Sequence, residues 1–150
     1  MKIKAGWIGK TKEPAIQALT EEYLKRISHY AEVTGVALKD EAALLALAGG
    51  ETRQSKNKER YKLVLLDSRG KQFSSEELAG FLEREQLNSI SLLFAIGGSD
   101  GFSEEARRQA ALVLSLGRMT LPHELARVVL LEQLYRAFTI LKNHPYHLGH

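Results

Sequence analysis

Three short apolar runs in the second half of the chain constrain the fold more than any other feature: YKLVLLD (Tyr61–Asp67), SISLLFAIGG (Ser89–Gly98) and ALVLSLG (Ala111–Gly117). The first is bounded by the turn SRGK, and the other two end in glycine. Runs of that length and composition, closed by turn residues, suit strands buried in a sheet. Between them lie helix starts. Ser74 with Glu77 three residues on has the pattern of a capping box. Ser103 followed by Glu104 and Glu105 marks a second start, because acids are favourable at the positive end of a helix dipole. ALVLSLG is open to two readings, the close of that second helix or a last strand; its Val and Leu content and Gly117 favour the strand. Strands alternating with helices at this spacing predict a parallel or mostly parallel sheet covered on both faces. Ligands of such sheets bind beyond the carboxyl ends of the strands. The loops to examine are therefore those after Leu66, Ile96 and Leu116.

The first half of the chain extends the pattern. IKAGWIG (Ile3–Gly9) reads as a strand, and EPAIQALTEEYLKRISHY as a helix with Pro14 near its start and Ile16, Leu19, Tyr23, Leu24 and Ile27 at helical spacing. EVTGVAL is a weaker strand, and AALLALAG a short helix or buried turn stopped by Gly49 and Gly50. The longest helix runs from Pro122 to about Leu141, with a broad apolar face that includes Leu125, Val128, Leu131, Leu134, Tyr135 and Phe138. With no repeat, low-complexity tract or linker, residues 1–150 are expected to form one α/β domain.

Composition excludes several function classes. A hydrophobic share of 44% beside 26% charged residues is ordinary for a soluble domain, and no apolar run reaches the length of a membrane span. The N-terminal MKIKAGWIGK lacks the long apolar region of a signal peptide. Without cysteine, disulfides and thiolate–metal sites are excluded, which favours the cytoplasm. The net charge of +3 is too small to establish nucleic-acid binding alone. It is unevenly placed, however: TRQSKNKERYK carries Arg53, Lys56, Lys58, Arg60 and Lys62 against Glu59, either a solvated face or a phosphate-contacting patch.

The candidate site residues each have a plain alternative. Gly97, Gly98 and Gly101 permit either a tight turn or close approach of a ligand to the backbone. Their spacing is not that of a dinucleotide or phosphate loop. Asp100 is a turn residue or a carboxylate for chemistry. Gly117, Arg118, Met119 and Thr120 form a loop before Pro122, either a helix entry or a dock for a planar heterocycle. Glu132 and Arg136 have the spacing of a surface ion pair, Arg127 reads equally as a solvated residue, and His123 falls in the first turn of the last helix. The tail NHPYHLGH offers three histidines, but Pro145 interrupts any helical spacing between them, so no metal site is expected.

In combination these segments are more specific. LLFAIGGSDGFS, LSLGRMTLPHELARVVLLEQLYRAFTI and NHPYH resemble, in order and spacing, the large-subunit ribosomal RNA pseudouridine N3-methyltransferase family, within the SPOUT class of S-adenosylmethionine-dependent methyltransferases. KIKAGWIGK and YLKRISHY extend the likeness into the N-terminal half. The resemblance implies a Rossmann-like α/β fold with a mostly parallel sheet and a C-terminal trefoil knot. It also implies a cytoplasmic homodimer with adenosylmethionine, and no metal, held in the knot loops near the subunit interface. Carried over by motif, the cofactor contacts fall on Leu66, Gly98, Gly117, Arg118, Met119, Thr120, Leu121 and Pro122. The implied substrate is the assembled ribosome, methylated at N3 of a pseudouridine in helix 69 of 23S rRNA. Arg53, Lys56, Lys58 and Arg60 become candidate RNA contacts. His147, or water ordered by it, is the candidate proton acceptor, Tyr146 a platform for the base or its ribose, and Arg136, or alternatively Arg127, the stabiliser of an imide anion. One departure stands out: the family continues PYH with a basic residue, where this chain has Leu148. The alternative reading is a non-catalytic ribosome- or RNA-binding protein that retains the fold.

Overall fold

A computed structural model describes residues 1–49 and 59–148. The elements, in chain order, are β1 (Lys2–Ile8), α1 (Pro14–Ile27), β2 (Glu32–Leu38), α2 (Glu41–Gly49), β3 (Lys62–Gln72), α3 (Ser75–Leu87), β4 (Leu92–Ile96), α4 (Glu104–Gln109), β5 (Leu112–Ser115) and α5 (His123–Leu141). The strands form one sheet in the order β2-β1-β4-β3-β5, every pair parallel. AALLALAG is thus a helix, and ALVLSLG a strand.

Local chemistry explains most boundaries. Pro14 occupies the first turn of α1, where its missing N–H costs nothing. Ser74 accepts from the Glu77 N–H at 3.0 Å while Glu77 accepts from the Ser74 N–H at 2.9 Å, closing the capping box of α3. Ser103 caps α4 by accepting from Ala106 N–H, and itself donates to Glu41 at the start of α2 through N–H (2.8 Å) and Oγ (2.6 Å). That contact ties the loop after β4 to the second helix.

One boundary differs from expectation. SRGK does not end the third strand; β3 continues to Gln72 through a register shift in which Leu114 of β5 partners both Leu66 and Lys71. The turn chemistry is present but acts inside the strand. Asp67 Oδ1 accepts the Arg69 N–H at 2.8 Å, and the segment forms a bulge between Leu66 and Lys71. Gly70 lets the strand resume beside β5, since a Cβ there would lie 2.6 Å from the Val113 carbonyl oxygen.

Alternating side chains of the strands feed two cores. Ile3, Ala5, Trp7, Leu92, Phe94 and Ile96 pack with residues of α1, α3 and α5, while Leu63, Leu65, Leu93 and Ala95 pack with Leu44 of α2 and Ala106 of α4. α5 lies against both α1 and α3. Its Leu134 is fully buried. Leu134→Ala is expected to cost about 2–5 kcal/mol, read as a lower urea midpoint with an unchanged slope.

Arg127 corrects the solvated reading. It is 1% exposed, with its guanidinium 3.9 Å from the centre of the Trp7 ring and Nη1 donating to Thr11 Oγ1 at 2.7 Å. Burial holds its pKa below the usual arginine value. One helical turn earlier, Glu124 Oε1 accepts the Lys12 N–H at 2.9 Å. Together the two side chains fasten the β1–α1 loop to the start of α5, and the cation is a packing element of the core, stabilised by the ring face.

Candidate active site

The bulge within β3 and the carboxyl ends of β4 and β5 open into one cavity of about 660 Å³. Its walls come from the three loops singled out by strand position: Leu66 to Arg69, Ile96 to Gly101, and Leu116 to Pro122, with His123 and Ala126 of α5 closing one side. Volume and composition suit a small-molecule site, apolar at Leu66, Ile96, Leu116 and Leu121 and polar at its rim.

Each loop is held from behind. Asp67 is nearly buried and accepts from Arg107 Nη2 of α4 at 2.8 Å as well as from Arg69, so a carboxylate and two guanidiniums frame the β3 loop. Arg107 Nε is buried with no hydrogen-bond partner among the described residues. The β4 loop turns on Gly101, whose φ of +70° favours glycine, with its N–H donating to the Gly98 carbonyl at 3.1 Å. Gly98 itself is unstrained, and a Cβ there would meet nothing within 4 Å. Its missing side chain is therefore cavity space. The β5 loop is held by Ser115, only 4% exposed: its Oγ accepts the Gly117 N–H at 3.1 Å and lies 2.8 Å from the Gly117 carbonyl oxygen. Gly117 has φ +148°, so a side chain at that position would be strained.

Seven of the expected cofactor contacts, Leu66, Gly98, Gly117, Met119, Thr120, Leu121 and Pro122, line this cavity; Arg118 is exposed and does not border it. Sequence reading missed Asp67, Arg107 and Ser115 as supports. Of these, only Ser115 leaves a sequence signal, a polar residue inside an apolar strand beside a glycine.

The tail forms a second cluster. Glu132 Oε1 accepts from Arg136 Nε (2.9 Å) and Nη2 (2.6 Å) and from the Tyr146 hydroxyl (3.3 Å). The expected surface ion pair is a half-buried one with company. Arg136 Nη1 lies 3.0 Å from His147 Nδ1, and His147 Nε2 lies 2.8 Å from Glu76 Oε1 at the start of α3. Tyr146 packs edge-on to Tyr135, with ring centres 4.7 Å apart. Burial, aided by the Tyr23 hydroxyl and the Glu132 charge, pushes Tyr146 up to about 12. An unfolded tyrosine titrates near pH 10. The contribution of the neutral phenol to stability is thus complete below about pH 10 and is lost as pH rises towards 12. A tyrosinate absorbance titration of Tyr146→Phe should lack the component near pH 12.

The two clusters do not meet within one chain. Arg136, Tyr146 and His147 are absent from the cavity wall. Arg136 lies thirteen residues beyond His123 on α5, roughly 20 Å along the helix at 1.5 Å per residue. Of the candidate RNA contacts, Arg60 is exposed, whereas Arg53, Lys56 and Lys58 lie outside the described residues.

A cavity between a strand bulge and two parallel strand ends, walled by glycine loops, narrows the class; comparison with known sequences decides it. The sequence pattern of the family described as "Predicted SPOUT methyltransferase" matches residues 1–147. The chain belongs to the SPOUT methyltransferase family. Among its SPOUT relatives, Ribosomal RNA large subunit methyltransferase H of Koribacter versatilis (strain Ellin345) is 56% identical, over 100% of both chains. The protein of the same name from Geobacter sulfurreducens (strain ATCC 51573 / DSM 12127 / PCA) is 41% identical, over 98% of this chain and 99% of its own. Solved structures agree on the SPOUT fold. A probable methylase family protein from Haemophilus influenzae Rd KW20 superposes with a TM-score of 0.57 at 16% identity, covering 98% of this chain and 70% of that one. The SpoU methyltransferase AviRb from Streptomyces viridochromogenes, in complex with AdoMet, gives 0.53 at 13% identity, covering 90% and 57%. Among the described residues of this SPOUT chain, no helix is long and apolar enough to cross a membrane.

Proposed function

We propose that this protein transfers a methyl group from adenosylmethionine to N3 of a pseudouridine in helix 69 of 23S rRNA on assembled ribosomes. The proposal includes the trefoil knot, the cytoplasmic location and the homodimer that the family resemblance implies. The observation that carries it is the convergence of the Leu66, Gly98 and Gly117–Pro122 loops on one cavity, in a chain 56% identical along its whole length to a protein named for ribosomal RNA methylation.

The residues present fit the donor. The gap left by Gly98 accepts a ligand edge against backbone, the apolar wall of Leu66, Ile96, Leu116 and Leu121 suits a purine, and the Asp100 carboxylate is available to hydroxyls. Adenosylmethionine supplies an activated methyl on a sulfonium. The chain must align the acceptor nitrogen and deal with its proton. In this reading Arg136 stabilises the imide as it loses that proton, His147 accepts it, and Tyr146 packs on the base or its ribose. Arg127 is left out because it is sealed against Trp7.

The separation of tail and cavity supports a composite site. The tail of one copy serves the cavity of a second, and the homodimer is then a catalytic requirement. Tritiated methyl transfer to ribosomes from a strain lacking the modification tests the proposal, with the modified base mapped afterwards. Label at the helix 69 pseudouridine is expected; label on free rRNA but not on ribosomes would contradict the substrate. In the same assay, charge reversal at Arg53 and Lys56 should raise the apparent ribosome KM and flatten its salt dependence. Unchanged salt behaviour would remove those residues from the RNA surface.

A further inference from the structure

We infer that Glu76 is a positioning residue for methyl transfer: it holds His147 as the Nε2–H tautomer, leaving Nδ1 as the proton-accepting atom beside Arg136. The inference rests on the proposed role of His147 and adds to it the identity of the accepting nitrogen.

The tautomer follows from donor chemistry. A guanidinium donates and cannot accept. With Arg136 Nη1 at 3.0 Å, His147 Nδ1 must therefore present its lone pair and carry no proton. A carboxylate only accepts, so Nε2, at 2.8 Å from Glu76 Oε1, must carry the proton and donate it. The carboxylate is ionised at neutral pH, because its own backbone N–H and then His147 hold it below the usual range. Glu76 belongs to α3 and is 71 residues from His147 in sequence. A carboxylate behind an imidazole fixes ring orientation and stabilises the imidazolium that forms when the far nitrogen takes a proton.

Among the described residues, Glu76 of α3 and Arg136 of α5 meet the ring, and Glu132 of α5 and Tyr146 of the tail join the cluster through Arg136. Glu132 grips Arg136 through Nε and Nη2, so Nη1 is the atom directed at His147. Nη1–H and Nδ1 thus form an adjacent donor and acceptor. An imide edge offers the complement, a carbonyl oxygen beside an N–H. An unprotonated ring nitrogen, as at N3 of cytosine, offers no proton to Nδ1. The pair therefore selects uracil-type edges before chemistry begins. When such an edge separates the pair, the N3 proton passes to Nδ1. The nitrogen electron pair forms the new N–C bond as the C–S bond of the donor breaks, leaving its electrons on sulfur.

The test combines an activity readout with one independent of activity. In the wild-type protein at neutral pH, ¹⁵N spectra of the His147 ring should show a protonated Nε2 and an unprotonated Nδ1. A protonated Nδ1 would overturn the inference outright. Glu76→Ala should mix the tautomers and lower kcat about tenfold with ribosome KM and adenosylmethionine affinity unchanged. Glu76→Gln keeps an acceptor but not the charge, so the Nε2–H tautomer should persist while kcat falls. Glu76→Asp should recover part of the loss. A wild-type kcat and an unmixed tautomer in Glu76→Ala, with His147→Ala inactive, would overturn the Glu76 assignment while leaving the proposed function standing. Full turnover by His147→Ala would remove the role of His147, and Glu76 with it.

Discussion

His147→Ala is expected to lower kcat for ribosome methylation by about a hundred- to ten-thousand-fold, the range of general-base assistance, with adenosylmethionine affinity unchanged. The split follows from geometry: His147 is held by Arg136 and Glu76, away from the cavity wall of its own chain. Removing the imidazole should not disturb the β3 bulge or the loops after β4 and β5. Single-turnover rates beside calorimetric titration with adenosylmethionine read the two quantities separately. Equal losses in rate and affinity would place His147 in cofactor binding instead.

Gly98→Leu should give the opposite signature. A Cβ at Gly98 meets no neighbour within 4 Å, and the residue has no positive φ, so the substitution strains nothing and the melting temperature should hold. The added side chain projects into the cavity of about 660 Å³ that Gly98 lines and competes with any ligand for that volume. Adenosylmethionine affinity should fall at least about tenfold, a loss of about 1.4 kcal/mol or more. Gly117→Ala differs in kind: at φ +148° the substituent strains the backbone, and both stability and binding should fall. Normal calorimetric binding by Gly98→Leu would move the cofactor elsewhere.

These contrasts show what the sequence could and could not convey. Short apolar runs and capping residues were enough to place β3, β4, β5, α3 and α4, because each depends on neighbours within a few positions. The parallel order of the sheet and the importance of the loops after Leu66, Ile96 and Leu116 followed from the alternation of strands and helices. Three features were hidden. SRGK carries ordinary turn chemistry, and only the pairing of Leu114 with both Leu66 and Lys71 turns it into a bulge within a strand. Arg127 looked like a solvated residue because its partners, Trp7 and Thr11, lie more than a hundred positions away. Glu76 carries no signal in the sequence; its contact with His147 exists only after α3 and the tail pack against α5. Local physics was legible, and long-range pairing was not. The motif resemblance named the tail residues but was silent on which chain they serve.

The central claim, one chain's cavity served by its partner's tail, is tested most directly by mixing two inactive variants. In the proposed dimer, Gly98→Leu copies have impaired cofactor sites and His147→Ala copies lack the proposed base, so both are assayed below the adenosylmethionine concentration that restores Gly98→Leu. Unfolded together and refolded as an equal mixture, they should recover about a quarter of wild-type methyl transfer, since half of the dimers are mixed and each has one intact composite site. A mixture as inactive as its components, with mixed dimers verified by mass, would contradict the account.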